Sequence, residues 1–83
     1  MTKLEEKLLE LGYKEEWTYD NIAFYIKCEI DYETHIFLKN QKIVKSKINV
    51  KKHIEEQYQI DNLQQAFNQL QKDLEVLKDE NNN

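Results

Sequence analysis

The side chains best suited to nucleophilic chemistry are few in this sequence. Its 83 residues include one cysteine, Cys28, and two histidines, His35 and His53. Cys28 alternates with apolar neighbours, which predicts a buried, inert thiol. His35 falls on the opposite parity, so the two side chains are expected to point apart. With a single glycine in the chain, no glycine-rich loop can build an oxyanion hole or cradle a phosphate. We therefore predict that the protein is not an enzyme.

Metal and cofactor sites find no better support. Two histidines 18 residues apart beside a lone cysteine match no zinc spacing, and the acidic residues form no calcium loop. Glu33 and His35 share a strand face by their spacing, but a solvated face is the simpler interpretation. We predict no catalytic, metal-binding or cofactor-binding residues.

A stretch rich in lysine is more informative. Between Lys39 and Lys52 the chain holds six lysines and no acidic residue. All twelve basic residues are lysine, so the chain lacks the guanidinium groups that read guanine edges in duplex DNA. Strict strand alternation places lysines and aromatic rings together on one sheet face. The candidate binding residues on that face are Tyr25, Lys27, Phe37, Lys39, Lys45 and Lys47.

Three interpretations of this face stay open at the level of sequence. Bases stack on rings and ammonium groups meet phosphates, which suits single-stranded nucleic acid. Exposed rings with basic neighbours also suit an acidic protein partner. The simplest interpretation is that the rings pack within the fold, under a loop or the N-terminal helix.

The elements that position these residues begin with a short helix at about 3–11. Thr2 and Glu5 have capping-box spacing, in which hydroxyl and carboxylate satisfy backbone amides reciprocally. Leucines at helical spacing follow, and Gly12 suits the left-handed position just after a helix. The spacing therefore predicts both ends of this helix.

The middle of the chain changes to a period of two, which is typical of half-buried strands. Three strands are predicted, at 21–29, 33–39 and 42–50. Asn40 and Gln41 are placed at the tip of a hairpin. The even positions of 22–30 are expected to face the helices. Trp17 and Tyr19 are expected to extend the first strand or cover a sheet edge.

The last segment has the strongest periodicity. Its apolar residues, spaced 3, 4, 3, 4 and 3, are Ile60, Leu63, Phe67, Leu70, Leu74 and Leu77. This seam predicts a helix of about 20 residues that ends near Lys78. The seam packs on the sheet or pairs with a second copy as a coiled coil. In a parallel dimer, Asp73 and Lys78 pair across the two copies. In a mixed arrangement, the first half of the seam lies on the sheet and the last half in a dimer.

Together these elements predict an α+β fold of order α-β-β-β-α, with an antiparallel sheet between a short and a long helix. The expected organisation is one domain over 1–83 with a frayed tail at 80–83. No run approaches the roughly 18 apolar residues that span a bilayer, and acids interrupt the apolar N-terminal segment, unlike a signal peptide. We therefore expect a cytoplasmic protein with no membrane partner.

The opening KLEEKLLELGYK, the lysine-rich strands and the closing IDNLQQAFNQLQKDLEVLKDE resemble small uncharacterised proteins of phages and prophages of low-GC Gram-positive bacteria. The resemblance is clearest at 60–80. It implies an accessory phage protein in the host cytoplasm that binds and modulates a host or phage protein. Defence nucleases are among the proteins that such a partner could be. It assigns a role to no individual residue.

We therefore expect a small non-enzymatic interaction protein that occupies a surface of a protein partner. A homodimer through the C-terminal helix is a further expectation. The alternative function is non-specific binding of single-stranded nucleic acid by the face of lysines and aromatic rings. Salt separates the two functions, because binding to phosphates weakens steeply as salt rises.

Overall fold

The computed structural model describes residues 2–51 and 56–81, and within the last helix it describes the side chains of residues 63–80. His53, residues 82–83 and the side chain of Ile60 lie outside the described part. The elements, in chain order, are α1 (Lys3–Glu10), β1 (Lys14–Tyr19), β2 (Ile22–Cys28), β3 (Tyr32–Lys39), β4 (Lys42–Val50) and α2 (Glu56–Asn81). The α+β prediction is confirmed, with four strands in place of three.

Helix α1 begins and ends as its sequence predicts. The Thr2 side chain accepts a hydrogen bond from the backbone N–H of Glu5, and the Glu5 carboxylate accepts one from the Thr2 backbone N–H. At the other end Gly12 has a φ of 100°, and the N–H of Tyr13 donates to the carbonyl of Leu8 at 3.0 Å. This is the Schellman arrangement, which satisfies the last carbonyls of a helix. The capping box and the glycine stop are both confirmed.

The four strands form one antiparallel sheet in the order β1-β2-β3-β4. Two-residue turns join β1 to β2 and β3 to β4. Both central residues of each turn have positive φ, at Asp20 and Asn21 and at Asn40 and Gln41, as in the type I′ turns that match the twist of a hairpin. The predicted tip at Asn40 and Gln41 is confirmed.

Strand β1 is a separate element, so the prediction of three strands is wrong by one. Lys14–Tyr19 pairs with β2 at the edge of the sheet, with a bulge between Glu15 and Trp17. All six of its residues are exposed, so its sequence has no apolar alternation to reveal it. Trp17 and Tyr19 belong to this edge strand itself, so they neither extend β2 nor cover the edge of a three-stranded sheet.

The prediction that the even positions of β2 face the helices is also wrong. Tyr25 and Lys27 are buried, while Ile30 is 86% exposed. The strand register explains this, because Tyr25 pairs with Ile36 and cross-strand partners lie on the same face. The odd positions of β2 therefore share a face with the even positions of β3.

Both helices pack on that same face of the sheet. The buried apolar core comprises Leu4, Leu8, Tyr13, Tyr25, Ile36, Leu38, Leu70 and Leu77. The opposite face has no element over it in the described part of the chain, and we call it the open face. Since α1 and α2 lie on one side only, one face of the sheet forms the core with the helices and the other face is left uncovered by them.

Helix α2 spans 26 residues and extends past the predicted end at Lys78. Among residues 63–80 of this helix, the buried side chains are those of Ala66, Leu70, Asp73 and Leu77, which follow one stripe of the helix. Asp73 therefore lies inside the protein, and the prediction that it pairs with Lys78 across a dimer is wrong. No helix among the described residues is long and apolar enough to cross a membrane.

The predicted seam is only partly buried. Leu70 and Leu77 belong to the core and Leu74 packs against it, whereas Leu63 and Phe67 are 37% and 48% exposed. The mixed arrangement is thus wrong in its order, since the last half of the seam packs on the protein's own core. It is the described part of the first half that faces solvent.

Candidate functional site

A row of three aromatic rings and one ammonium group crosses the open face. Trp17, Phe24, Phe37 and Lys45 are successive register partners on β1, β2, β3 and β4. The ring centroids of Trp17 and Phe24 are 5.5 Å apart, and those of Phe24 and Phe37 are 4.7 Å apart. Lys45 Nζ lies 5.7 Å from the centroid of Phe37. We call these four side chains the aromatic row.

The rings of the row are packed against one another. Phe24 and Phe37 stack with an interplanar angle of 13°. Because Lys45 lies on the strand beyond Phe37, it covers the side of that ring opposite Phe24, in a cation–π contact. Trp17 lies beside both phenylalanines, with its ring centroid 5.5 Å from that of Phe24 and 6.4 Å from that of Phe37, and is 47% exposed. The row is therefore an apolar ridge with one exposed indole, and the faces of its central rings are occupied.

Lysines surround the row on β3 and β4. Lys47 pairs with His35, and Lys39 pairs with Lys42. We call these exposed residues the basic rim: Lys39, Lys42, Lys45 and Lys47. The chain has a formal net charge of −4, so the open face carries a local charge of the opposite sign to the whole protein.

A small polar group borders the row at the far end of β2 and β3. His35 Nε2 lies 3.3 Å from Glu33 Oε1, and this hydrogen bond is the main reason why the pKa of Glu33 lies below its usual range. Cys28 Sγ donates to Glu33 Oε2 at 3.6 Å. Partial desolvation, followed by the Glu33 charge, raises the pKa of the Cys28 thiol, so little of it is thiolate at neutral pH.

Two predictions about these groups are wrong. Cys28 is exposed rather than buried. It also lies on the same face as His35, because it pairs with Glu33 across the strands, and Glu33 and His35 are two residues apart. Among the described residues, no three histidine, cysteine or acidic side chains are placed to hold a metal ion.

The predicted binding face is divided by the sheet. Phe37, Lys39, Lys45 and Lys47 lie together on the open face, as the register with their partners shows. Tyr25 and Lys27 do not, because both are buried under the helices. On β2 it is Phe24 that lies beside Phe37 on the open face, because the even positions of this strand, and not the odd ones, are on that face. The sequence of β2 has apolar residues at both odd and even positions, which indicates that either face of this strand could be the buried one.

Lys27 belongs to a buried polar cluster on the helix side. Its ammonium group lies 2.6 Å from Asp73 Oδ2, and the hydroxyl of Tyr13 donates to the same oxygen at 2.9 Å. The amide of Gln69 donates to the other carboxylate oxygen at 3.0 Å. Asp73 is thus satisfied on both oxygens, and the cluster joins α2 to β2 and to Tyr13, which lies between α1 and β1. Its groups are paired with one another, which is the arrangement of a structural network.

Comparison with family models, with curated proteins and with solved structures finds no match to this chain.

Proposed function

We propose that the chain is a small non-enzymatic interaction protein whose open face binds an acidic segment of a protein partner. The aromatic row is the observation that carries this proposal. It places the exposed indole of Trp17 on a ridge supported by Phe24 and Phe37. Tryptophan and other aromatic residues are enriched at protein interfaces and among the residues that dominate binding energy.

The basic rim supports an acidic partner. Lys39, Lys45 and Lys47 are exposed and border the apolar ridge, so a bound segment that combines apolar and acidic side chains meets complementary groups. Charge complementarity of this kind steers encounter and fixes orientation more than it adds affinity. We assign affinity mainly to Trp17 and selection of the partner mainly to the lysines.

Binding of single-stranded nucleic acid is the second candidate. The exposed lysines beside an exposed indole favour it, since phosphates pair with ammonium groups and a base stacks on a free ring. The central rings argue against it. Phe24 and Phe37 stack on each other and Lys45 covers the outer side of Phe37, so within the row Trp17 alone offers an open ring face.

The resemblance to phage and prophage proteins supplies a setting for the proposal. In that setting the partner is a host or phage protein in the host cytoplasm, and the chain acts by occupying its surface. The binding geometry proposed for the open face does not depend on this setting, which stays a prediction.

Variants of the open face test the proposal. The face variant combines Trp17→Ala with Lys45→Glu. The control variant combines Val76→Ala with Lys72→Glu on exposed positions of α2, where Val76 has the same 47% exposure as Trp17. The probes are an array of acidic peptides that also contain leucine, a matched array of basic peptides, and a labelled 12-nucleotide thymidine strand.

The proposal expects acidic peptides to bind the wild type and the control variant and to lose binding to the face variant. Equal binding by the face variant contradicts it, and so does preference for basic peptides. Binding of the thymidine strand alone, with a steep loss as salt rises, favours the second candidate. Capture of protein from a lysate of a low-GC Gram-positive bacterium, after nuclease treatment, then identifies a partner that the face variant fails to retain.

A further inference from the structure

The described N-terminal half of α2 leaves an apolar pair facing solvent. Leu63 and Phe67 are 37% and 48% exposed and lie four residues apart, so their side chains are neighbours on the helix surface. Leu63 lies three residues before buried Ala66, and Phe67 three before buried Leu70. The exposed pair therefore borders the buried stripe of the same helix, beside Ala66 and Leu70.

The segment that carries this pair is also free of charge. Residues 62–71 contain no lysine, aspartate or glutamate, and no other run of ten residues in the chain is free of charge, although 34% of all residues are charged. Depletion of charge around an exposed phenylalanine is the composition of an interface core. A solvated helix face in so charged a chain would be expected to contain lysine or glutamate.

Amide side chains flank the apolar pair, which bears on the identity of the occupant. Gln64 donates a hydrogen bond to Asn68 at 3.2 Å along this surface, and Gln71 follows one turn after Phe67. An amide both donates and accepts hydrogen bonds, so a surface of amides is complementary to a copy of itself. A charged surface, in contrast, requires an opposite charge in its partner.

We propose that a second copy of this chain covers Leu63 and Phe67, giving a symmetric dimer with the two α2 helices crossed at this charge-free segment. A two-fold interface uses the same patch on both copies, and self-complementary amides around an apolar centre meet that requirement. Two copies that each carry a net charge of −4 approach there without like charges in contact.

The dimer has a consequence for binding that rests on the proposed function. Helix α2 lies on the sheet face opposite the aromatic row, so dimerisation leaves both open faces free and directed away from the interface. A partner with two acidic segments would then be held by both faces at once, with an affinity above that of a single face. The dimer itself does not depend on this consequence.

Sedimentation equilibrium and light scattering test the dimer on the purified chain without any partner, from low micromolar to millimolar concentration. The double variant Leu63→Asp and Phe67→Asp is compared with Val76→Asp. Val76 is the matched control, because it is an apolar residue of α2 with 47% exposure that lies outside the charge-free segment. Circular dichroism checks that each variant is folded.

We expect a dimer mass for the wild type and for Val76→Asp, and a dissociation constant raised at least tenfold in the double variant. Dissociation should change little between 50 and 500 mM salt, because the proposed interface holds no ion pairs. A wild type that stays monomeric to millimolar concentration overturns the proposal, as does a dimer that survives both aspartates. Neither result bears on peptide binding by the open face, so the two proposals fail separately.

Discussion

Lys27 Nζ lies 2.6 Å from Asp73 Oδ2, and both side chains are almost wholly buried. The two residues are 46 positions apart in the chain, so this contact joins β2 to α2. Tyr13 donates to the same oxygen and its ring lies 4.8 Å from the ammonium group. A buried charge is tolerated only with such partners, so the contact makes the docking of α2 dependent on both side chains.

The first prediction concerns the removal of one partner. Asp73→Ala leaves the Lys27 ammonium buried without a counter-charge and should lower the free energy of unfolding by about 3–5 kcal/mol. Urea denaturation followed by circular dichroism measures the change. Asp79→Ala, at an exposed position of the same helix, is the control and should alter stability by no more than about 0.5 kcal/mol.

A compensated variant shows whether the loss comes from the unpaired charge. The triple change Tyr13→Phe, Lys27→Met and Asp73→Leu removes all three polar groups together. Replacing a buried ion pair by packed apolar side chains is often neutral or stabilising, so this variant should recover most of the stability that Asp73→Ala loses. A triple variant as unstable as Asp73→Ala would show that the contact acts through shape rather than charge.

The second prediction is a loss of stability in alkali. Burial, followed by the hydrogen bond to Asp73 and its charge, raises the pKa of Tyr13 well above its usual value of 10. Above pH 10 the Tyr13 hydroxyl therefore keeps its proton in the folded state and loses it in the unfolded state. This contribution is fully present below pH 10 and falls as pH rises further, by about 1.4 kcal/mol per pH unit. Tyr25, with a pKa raised to about 12 mainly by burial, acts in the same direction.

Urea midpoints between pH 8 and pH 11.5, with tyrosinate absorbance at 295 nm, measure this dependence. Tyr13→Phe should be less stable at pH 8, because Asp73 loses a donor, yet should show a shallower decline above pH 10. All other ionisable groups are common to both proteins, so the comparison isolates the contribution of the Tyr13 hydroxyl. Parallel declines in the two proteins would contradict the assignment to Tyr13.

Local signals made much of the fold predictable. Thr2, Glu5 and Gly12 mark the two ends of α1 because helix caps depend on neighbouring residues alone. The alternation of apolar and polar residues predicted the bounds of β2, β3 and β4 to within one residue at each end. Strand β1 gave no such signal, since every side chain in Lys14–Tyr19 is exposed and an edge strand needs no apolar face.

The candidate site was only half predictable, because its faces depend on long-range pairing. Phe37 and Lys45 were identified together, but Phe24 joins them only through a register that pairs even positions of β2 with odd positions of β3. Lys27 has the local sequence of a solvated strand lysine. Its burial follows from Asp73, and no pattern within β2 contains that information.

The third prediction concerns the thiol of Cys28. Its side chain is exposed, so Ellman's reagent should modify it in the folded protein, but slowly at neutral pH because its pKa is raised. Glu33→Gln removes the neighbouring negative charge and should speed the reaction several-fold, since the thiolate is the nucleophile. Glu75→Gln on α2 is the control and should leave the rate unchanged. An equal rate for wild type and Glu33→Gln would show that this carboxylate does not control the thiol.

The fourth prediction uses Trp17, the single tryptophan, as a probe of the charge on the open face. Its ring lies 6.4 Å from that of Phe37, and Phe37 contacts Lys45, so the basic rim begins within about one Debye length, roughly 10 Å at 0.1 M salt. Iodide should therefore quench its fluorescence more strongly than caesium. Lys45→Glu should reduce the iodide effect, whereas Lys72→Glu should not. Quenching by caesium that equals or exceeds quenching by iodide would remove the electrostatic basis for an acidic partner.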